Sequence, residues 1–268
     1  MLLASVEYAR PASVDEALSL LAANPNGRAL AGGQTLVNVM KARIAAVELL
    51  VDLNGIPELR EIREADGALE LGAMVTYTQL ARAEEVYRAR PILAEVASQI
   101  ADVQVRNRGT VGGNVCSNDP TNHLPPLLVA VGATMTVAGA SGTRPVPAEE
   151  FFLGVYMTAV GPGELLTGIS IPRRGGGDGF AAVTIGADGT CIANAAASAN
   201  GRVRVALGCV AATPVLVETA SAEEESVRAA VAAADLDPPS DVHAPAGYRR
   251  QLAEVLAARA VRQATGAA

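Results

Sequence analysis

Two short segments combine a glycine pair with side chains that can donate hydrogen bonds, and they are the first candidates for chemistry in this sequence. The first glycine segment is Ala31-Gly32-Gly33-Gln34-Thr35-Leu36, and the second glycine segment is Thr110-Val111-Gly112-Gly113-Asn114. Glycine allows a positive φ and lets a ligand approach the backbone without a Cβ in the way. Consecutive exposed N–H groups can then form an anion-binding concavity that needs no lysine. Together the two segments could bind the two phosphates of a dinucleotide.

Neither glycine segment has the spacing of the common nucleotide motifs. The G-x-G-x-x-G pattern of a Rossmann unit and the G-K-[ST] ending of a P-loop are both missing from them. The chain has 26 glycines, so a single glycine pair is often only a turn. If a dinucleotide binds here, it binds through another architecture.

Few other side chains of this sequence are placed for catalysis. His123 and His243 are the only histidines, and no serine lies in a G-x-S-x-G motif. The three cysteines, Cys116, Cys191 and Cys209, lack C-x-x-C spacing, so we expect them to be small core residues. An iron–sulfur cluster needs about four thiolates, so we expect none bound by this chain alone. The chemistry must then come from a cofactor that the protein positions.

The glycine segments, taken in order with their flanks, resemble the FAD-binding medium subunit of the molybdenum hydroxylases. This is the family of aerobic carbon monoxide dehydrogenase and xanthine dehydrogenase. The flanks that match are Val51-Asp52-Leu53, Gln104-Val105-Arg106-Asn107-Arg108 and Tyr248-Arg249-Arg250-Gln251-Leu252. The resemblance runs from about Tyr8 to the last expected helix, which is nearly the whole chain.

The resemblance implies non-covalent FAD with its pyrophosphate between the two glycine segments. It implies neither a catalytic residue nor a metal ligand in this chain. The positions that match the cofactor contacts of the family are Ala31, Gly32, Gly33, Gln34, Thr35, Leu36, Ile100, Thr110, Gly112, Gly113, Asn114 and Leu166. Ile100 and Leu166 have an alternative role as ordinary core residues. Arg106 and Arg108 could neutralise phosphate, pair with a partner, or be solvated surface charges.

The chain departs from the family pattern where the adenosine and flavin ends of the cofactor are expected. The family often has an aspartate, thought to bind the ribose or adenine, at the position of His123. Asp119 or Asn122 could replace it, or His123 could itself donate a hydrogen bond. A lysine that often follows the position of Phe180 is missing, and residues 185–194 contain no aromatic side chain near the expected flavin ring.

The resemblance also implies two partners and a direction of electron flow. The partners are a molybdopterin-containing large subunit and a small subunit with two [2Fe–2S] clusters, assembled as a dimer of heterotrimers. Electrons would pass from those clusters through FAD to an external acceptor. Two alternatives stay open: a stand-alone flavin oxidase or reductase, which would need its own acid or base, and a non-catalytic binding or assembly module.

Composition limits the other classes of function. Half of the 268 residues are hydrophobic, yet aromatics make up only 3% and tryptophan is absent, so the core must consist of Ala, Val, Leu and Ile. The net charge of −7 argues against nucleic-acid or anionic-membrane partners. No apolar run reaches the roughly 20 residues of a membrane span. The first seven residues are too short and not basic enough for a signal peptide. We therefore expect a cytoplasmic protein.

Local signals predict an α+β chain in three units. Residues 1–57 form an N-terminal α/β lobe and residues 58–172 a second α+β lobe; the resemblance makes these a two-lobed FAD-binding unit of the PCMH or vanillyl-alcohol-oxidase type. Residues 173–268 form a C-terminal domain after a glycine-rich linker. In that domain the dipeptides Asp188-Gly189 and Asn200-Gly201 predict a three-stranded antiparallel sheet, followed by two helices. A helix is expected over 36–43, and the capping box 76–79 should open a helix toward Val86.

Overall fold

The described part of the chain folds into four sheets and a set of mostly short helices, and the α+β class expected from the sequence is confirmed. The structure is a computed structural model that describes residues 2–186 and 189–267. The strands are β1 (Glu7–Ala9), β2 (Gly27–Leu30), β3 (Leu49–Asp52), β4 (Ile62–Ala65), β5 (Ala68–Gly72), β6 (Thr134–Gly139), β7 (Gly142–Pro147), β8 (Phe152–Gly154), β9 (Met157–Thr158), β10 (Leu165–Pro172), β11 (Gly177–Ile185), β12 (Thr190–Asn200), β13 (Arg202–Gly208) and β14 (Val215–Thr219).

The helices are α1 (Val14–Ala23), α2 (Leu36–Lys41), α3 (Tyr77–Leu80), α4 (Glu84–Ala89), α5 (Ile92–Gln99), α6 (Val103–Arg108), α7 (Val111–Ser117), α8 (Leu124–Ala130), α9 (Ala148–Phe151), α10 (Glu224–Ala232) and α11 (Ala246–Thr265). Short 3-10 turns cover Leu53–Gly55 and Pro57–Arg60. Within the described residues, none of these helices combines the length and the apolar character that crossing a bilayer requires.

The N-terminal sheet is parallel, with the strand order β1-β3-β2. Helix α1 covers it and begins where the Ser13 hydroxyl accepts a hydrogen bond from the Glu16 N–H, which is an N-cap. Ala17 and Leu21 on α1 are buried against Val51 of the central strand. The chain leaves β2 at the edge where the first glycine segment starts, so this small sheet positions that segment.

The second sheet is antiparallel, with the order β4-β5-β10-β6-β7. The capping box expected at Thr76 and Gln79 is present, but the single helix expected from there toward Val86 is wrong. The chain forms α3 and then α4, with a break between them. Leu80 and Val86 are both fully buried. At about 100° per residue, positions six apart on one helix would face in different directions, and the break lets both reach the core.

The C-terminal sheet has four strands in the order β11-β12-β13-β14, one more than expected. The hairpin at Asn200-Gly201 is confirmed, with Asn200 paired to Arg202 and Gly201 at a φ of 74°. The other expected turn includes Asp188, which lies outside the described residues. The added strand, β14, pairs with β13 after a segment that has no hairpin dipeptide. One sheet face packs on α10 and α11, and the other joins the core of the second sheet through Ala196 and Ala206.

A buried ion pair joins the second sheet region to the C-terminal sheet. The Arg90 guanidinium donates from Nε and Nη2 to the two carboxylate oxygens of Asp178, at 3.0 and 2.7 Å. The same guanidinium donates to the Pro172 carbonyl and the Ser198 hydroxyl. The side chains of Arg90 and Asp178 are only 5% and 3% exposed. The hydrogen bonds of this guanidinium therefore hold β11, β12 and the end of β10 against the end of α4.

Replacing Asp178 with alanine should lower the free energy of unfolding by about 3–5 kcal/mol, because the Arg90 charge would stay buried without its carboxylate. Urea denaturation followed by circular dichroism measures the loss. Arg88→Ala is the matched control, since Arg88 pairs with Glu64 while its side chain is 60% exposed, and it should cost less than about 1 kcal/mol. Equal losses in the two variants would show that the buried pair has no special role.

Candidate functional site

The two glycine segments lie against each other, although 78 positions separate Gly32 from Thr110. A Cβ on Gly32 would lie 2.1 Å from the carbonyl oxygen of Arg108 and 2.9 Å from the Cα of Gly109. A Cβ on Gly113 would lie 3.7 Å from the Cβ of Ala31. Contacts this close leave no room for a side chain at Gly32. The fold therefore brings together the two segments that the sequence marked as separate candidates.

The first glycine segment follows β2 and leads into α2, which ends at Lys41 rather than at residue 43. Gly33 has a φ of 73°, a left-handed conformation that glycine adopts without strain. The Gln34 amide donates to the Gly32 carbonyl at 3.2 Å. Within the described residues, no protein acceptor takes the backbone N–H groups of Gly33, Gln34 or Thr35. Such N–H groups at the entrance to a helix are suited to an anionic ligand.

The second glycine segment is the start of helix α7 and not a loop with free amides, which corrects the sequence interpretation. Thr110 is the N-cap, and its hydroxyl accepts from the Gly113 N–H at 3.0 Å. The N–H of Val111 donates to Val75 and that of Gly112 to Ala73. A Cβ on Gly112 would lie 2.6 Å from the carbonyl oxygen of Ala73. Gly112 therefore serves close packing, while Gly113 is exposed on the outer face.

Asn114 carries an unsatisfied acceptor beside this exposed glycine. The residue is 7% exposed, and its Oδ1 is buried with no hydrogen-bond partner among the described residues. Its backbone carbonyl accepts from the Asn122 side chain at 3.1 Å. Burial raises the pKa of the nearby Tyr77 hydroxyl to about 12, although a hydrogen bond with Asn114 acts in the opposite direction. Buried polar atoms are normally paired, so the free Oδ1 marks a place for a donor from a ligand.

Asp52 and Asn54 hold the first glycine segment in place, and the sequence reasoning did not include them among the site residues. The Asn54 amide donates to the Ala31 carbonyl at 3.1 Å and to the Asp52 carboxylate at 2.6 Å. Asp52 also accepts from the Tyr8 hydroxyl, and Arg60 donates to the Asn54 side chain. The sequence feature that could have identified Asp52 is the Val51-Asp52-Leu53 flank, which matches the family pattern.

Asp119 and His123 lie in the turn after α7, and the Asn118 N–H and the Asn122 side chain both link this turn to the Asn114 carbonyl of the second glycine segment. The Asp119 carboxylate accepts from the backbone and hydroxyl of Thr121 and from the Tyr156 hydroxyl. His123 is 6% exposed, and its ring centroid is 5.2 Å from that of Phe180. The turn is thus held in shape by its own side chains.

The remaining predicted residues are more deeply embedded. Leu36 packs with Met40 at the start of α2. Leu166 is buried in the main core, and Ile100 is half-buried against it at the end of α5. The Arg106 guanidinium donates to the carbonyls of Ile100 and Ala101, so it fastens α6 to α5 instead of facing a phosphate. These residues support the site from behind.

Comparisons with known proteins give a consistent result along the whole chain. A family described as the FAD binding domain in molybdopterin dehydrogenase matches residues 4–174. Another, described as the CO dehydrogenase flavoprotein C-terminal domain, matches residues 170–264. The carbon monoxide dehydrogenase medium chain of Afipia carboxidovorans is 37% identical, with 98% of each chain covered. The nicotine 6-hydroxylase medium subunit of Paenarthrobacter nicotinovorans is 31% identical, with 98% of this chain and 99% of that one covered.

Solved structures agree with these relatives. A chain of the Cu,Mo-CO dehydrogenase in its cyanide-inactivated form has a TM-score of 0.93 and 36% identity, with 100% of each chain covered. A chain of quinoline 2-oxidoreductase from Pseudomonas putida 86 has a TM-score of 0.91 and 32% identity, with 98% of each chain covered. The residues present here fit an FAD: in the described part of the chain the N–H groups after Gly32 and the Asn114 Oδ1 have no hydrogen-bond partner, and Gly113 presents no side chain.

Because of Asp52, the free energy of unfolding should depend on pH in the acidic range. Burial acts to raise the pKa of Asp52, but hydrogen bonds from Tyr8 and Asn54 outweigh it and hold that pKa below its ordinary value near 4. The folded state therefore favours the carboxylate. Its contribution to the free energy of unfolding is complete above the ordinary pKa and is lost as the pH falls through the lowered folded value.

We expect Asp52→Asn to reduce the free energy of unfolding at pH 6 and to lose part of that deficit as the pH falls toward 3. Urea denaturation between pH 3 and pH 6 measures both curves. Asp66→Asn, in the exposed turn between β4 and β5, is the control for removing a carboxylate as such. A constant difference between wild type and Asp52→Asn across this range would contradict the assignment.

Proposed function

Because the chain belongs to the family of FAD-binding medium subunits of the molybdenum hydroxylases, we propose that it transfers electrons from the [2Fe–2S] clusters of a partner subunit to an external acceptor. The chain is the FAD-binding subunit of a molybdopterin-dependent oxidoreductase. The observation that carries the proposed role is the contact between the two glycine segments, with free N–H groups on one side and an unpaired acceptor on the other.

Each segment has its own task in this proposal. The N–H groups of Gly33, Gln34 and Thr35 bind the pyrophosphate of a non-covalently held FAD. Gly113 leaves the opposite wall open, and the Asn114 Oδ1 accepts a hydrogen bond from the cofactor. Bound FAD supplies the redox chemistry, since it can accept and release electrons that protein side chains cannot carry.

The other predicted contacts complete the proposed cofactor site. Ala31, Leu36 and Thr110 shape the two walls through their backbones and caps. Ile100 and Leu166 supply apolar surface behind them. Asp119 and His123 form the adenosine end, where the Asp119 carboxylate can accept from a ribose hydroxyl.

The partners in this proposal are a molybdopterin-binding large subunit and an iron–sulfur small subunit, in a dimer of heterotrimers. Its support is that the matching relatives are named as medium chains or as subunits of dehydrogenase complexes. The same proposal places the complex in the cytoplasm, which cell fractionation tests.

An exposed apolar hairpin is the surface that we assign to the iron–sulfur partner. Leu153, Val155, Tyr156 and Met157 at β8 and β9 are between 46% and 63% exposed. The Asn118 side chain donates to the carbonyls of Gly154 and Met157, which fixes this hairpin on the C-cap of α7. A contiguous exposed apolar patch commonly marks a protein interface. The Tyr156 hydroxyl donates to the Asp119 carboxylate, so the hairpin adjoins the proposed adenosine end of the FAD site.

Replacing Gly113 with valine should remove FAD, because a branched side chain would fill the wall that the cofactor approaches. We expect flavin content below about a tenth of the wild-type value, which corresponds to at least ~1.4 kcal/mol of binding free energy. Flavin absorbance per protein measures it, with circular dichroism as the check on folding. Gly247→Val is the matched control, since a Cβ there meets nothing within 4 Å. Full flavin content in Gly113→Val would refute the placement of FAD beside Gly113. A wild-type chain that binds no flavin would instead favour the alternative of a non-catalytic binding or assembly module.

The isolated chain loaded with FAD should not be reduced by the substrate of the complex, because in this proposal the substrate reacts on the partner. Anaerobic stopped-flow absorbance should show flavin reduction by dithionite at once, and by substrate only after both partners are added.

Met157→Glu should slow that substrate-driven reduction at least about tenfold by placing a charge in a desolvated interface. Its flavin content and dithionite reduction should not change.

Val242→Glu is the matched control for this experiment, since Val242 is 95% exposed and lies in the loop before α11. It should leave the reconstituted rate unchanged. Rapid reduction of the isolated chain by substrate would instead favour the stand-alone flavin enzyme.

A further inference from the structure

Two cysteine thiols meet at one buried amide in the C-terminal sheet. The Asn194 Nδ2 lies 3.3 Å from the Cys191 sulfur and 3.8 Å from the Cys209 sulfur. Asn194 is fully buried, and Cys191 and Cys209 are 2% and 3% exposed. The sequence interpretation treated these cysteines as separate core residues. The structure shows them as a pair with a shared hydrogen-bond donor.

The backbone is shaped to bring these thiols together. The pairing of β11 with β12 shifts between Val183 and Thr184, which leaves Ile192 as the extra residue of a β-bulge on β12. A bulge breaks the alternation of side chains, and so Cys191 reaches the same side as Asn194. Cys209 has a φ of 65°, a conformation uncommon for a residue with a side chain. Strained backbone of this kind is concentrated at functional sites.

The surroundings shift the pKa values of the two thiols in opposite directions. Interaction with Cys209, with help from His123 and Asn194, outweighs burial and lowers the pKa of Cys191. Interaction with Cys191 and burial raise the pKa of Cys209. The positive charge of Arg249 acts to lower the pKa of Cys209, and the negative charge of Asp119 acts to raise it. The lowered pKa makes Cys191 the more readily ionised thiol of the pair, and the thiolate is the form of cysteine that reacts.

The space beside the pair limits what can react with it. Cys209 lines a cavity of about 10 Å³ together with Asn118, Asp119 and Asn122. A cavity of this size holds about one water-sized molecule. Within the described residues no three His, Cys, Asp or Glu side chains are grouped to hold a metal ion. Among the described residues, the Asn194 Oδ1 is also buried without a hydrogen-bond partner.

We propose that Cys191 and Cys209 are a redox-active pair that hydrogen peroxide oxidises to a disulfide and that a small dithiol reduces. One sulfur of the pair, as the thiolate, attacks one peroxide oxygen, so an S–O bond forms, the O–O bond breaks, and the leaving hydroxide takes a proton to become water. The second thiol then loses its proton and attacks the oxidised sulfur. An S–S bond forms, the S–O bond breaks, and a second water leaves. Two thiols and one peroxide give one disulfide and two waters.

The pair is connected to the second glycine segment by two hydrogen bonds. The Asn194 amide donates to the Asn122 carbonyl at 3.3 Å, and the Asn122 side chain donates to the Asn114 carbonyl at 3.1 Å. His123, which neighbours Asn122, is among the groups that lower the pKa of Cys191. A peroxide-sensitive site therefore lies beside the residues that we assign to the cofactor, although its chemistry does not depend on that assignment.

Mass spectrometry of the purified full chain tests the proposal directly. The chain is treated with a tenfold excess of hydrogen peroxide, denatured, and alkylated with N-ethylmaleimide. Trypsin cleaves after Arg174, Arg202 and Arg228, so Cys191 and Cys209 fall in different peptides. We expect free thiols to fall from three to one per chain, a cross-linked peptide pair to appear, and dithiothreitol to restore all three. Free Cys191 and Cys209 after treatment would overturn the proposal.

Three variants sharpen this test. Cys116→Ser is the matched control, because Cys116 is a partly buried thiol whose pKa burial raises to about 12, and the cross-link should form in it as in wild type. Cys191→Ser and Cys209→Ser should each abolish the cross-link. A cross-link that involves Cys116, or one that survives either of these two substitutions, would also overturn the proposal. If either variant fails to fold, the wild-type peptide map still decides.

Discussion

The constraint on which the proposed site depends is the close approach of the Gly32 backbone to the carbonyl of Arg108. A Cβ at Gly32 would lie 2.1 Å from that oxygen, so only glycine allows the two segments to touch. The contact requires the edge of the N-terminal sheet and the end of α6 to lie at a fixed separation. The Asn54 amide holds the Ala31 carbonyl from one side, and Gly109 packs against the Tyr77 ring from the other. The wall on which the proposed cofactor site depends is therefore built from backbone.

A second constraint sets where the C-terminal sheet lies. The pairing of Arg90 with Asp178 is buried in a core of small aliphatic side chains, and the same guanidinium also holds Ser198 on β12. Burying an ion pair costs desolvation free energy, and such pairs are often retained because they fix the position of the elements that they join. Here the position matters because β12 carries Asn194. Once β12 is seated, Asn194 reaches the turn after α7, and His123 packs against Phe180.

Local signals predicted those parts of the fold whose causes lie within a few residues. The capping box at Thr76 and the hairpin at Asn200-Gly201 are examples, and both are present. The glycine segments were also found, because glycine is required where backbones meet. The sequence predicts a loop at the second glycine segment, however, because its helical start depends on Ala73 and Val75. These residues accept from the N–H groups of the segment but are far away in sequence. The pairing of Cys191 with Cys209 depends on a bulge and a positive φ, which no short pattern records.

The proposed phosphate site relies on uncharged backbone N–H donors, because Arg106 and Arg108 have other roles. Arg106 is fastened to backbone carbonyls, and Arg108 contributes a carbonyl to the glycine contact while it lies at the surface. A buried guanidinium without a fixed partner would cost several kcal/mol of desolvation. Backbone N–H groups at Gly33, Gln34 and Thr35 carry only partial charges, and the preceding strand already orders them. They can therefore hold an anion inside a chain of net charge −7 without adding a charge that must be neutralised when the site is empty.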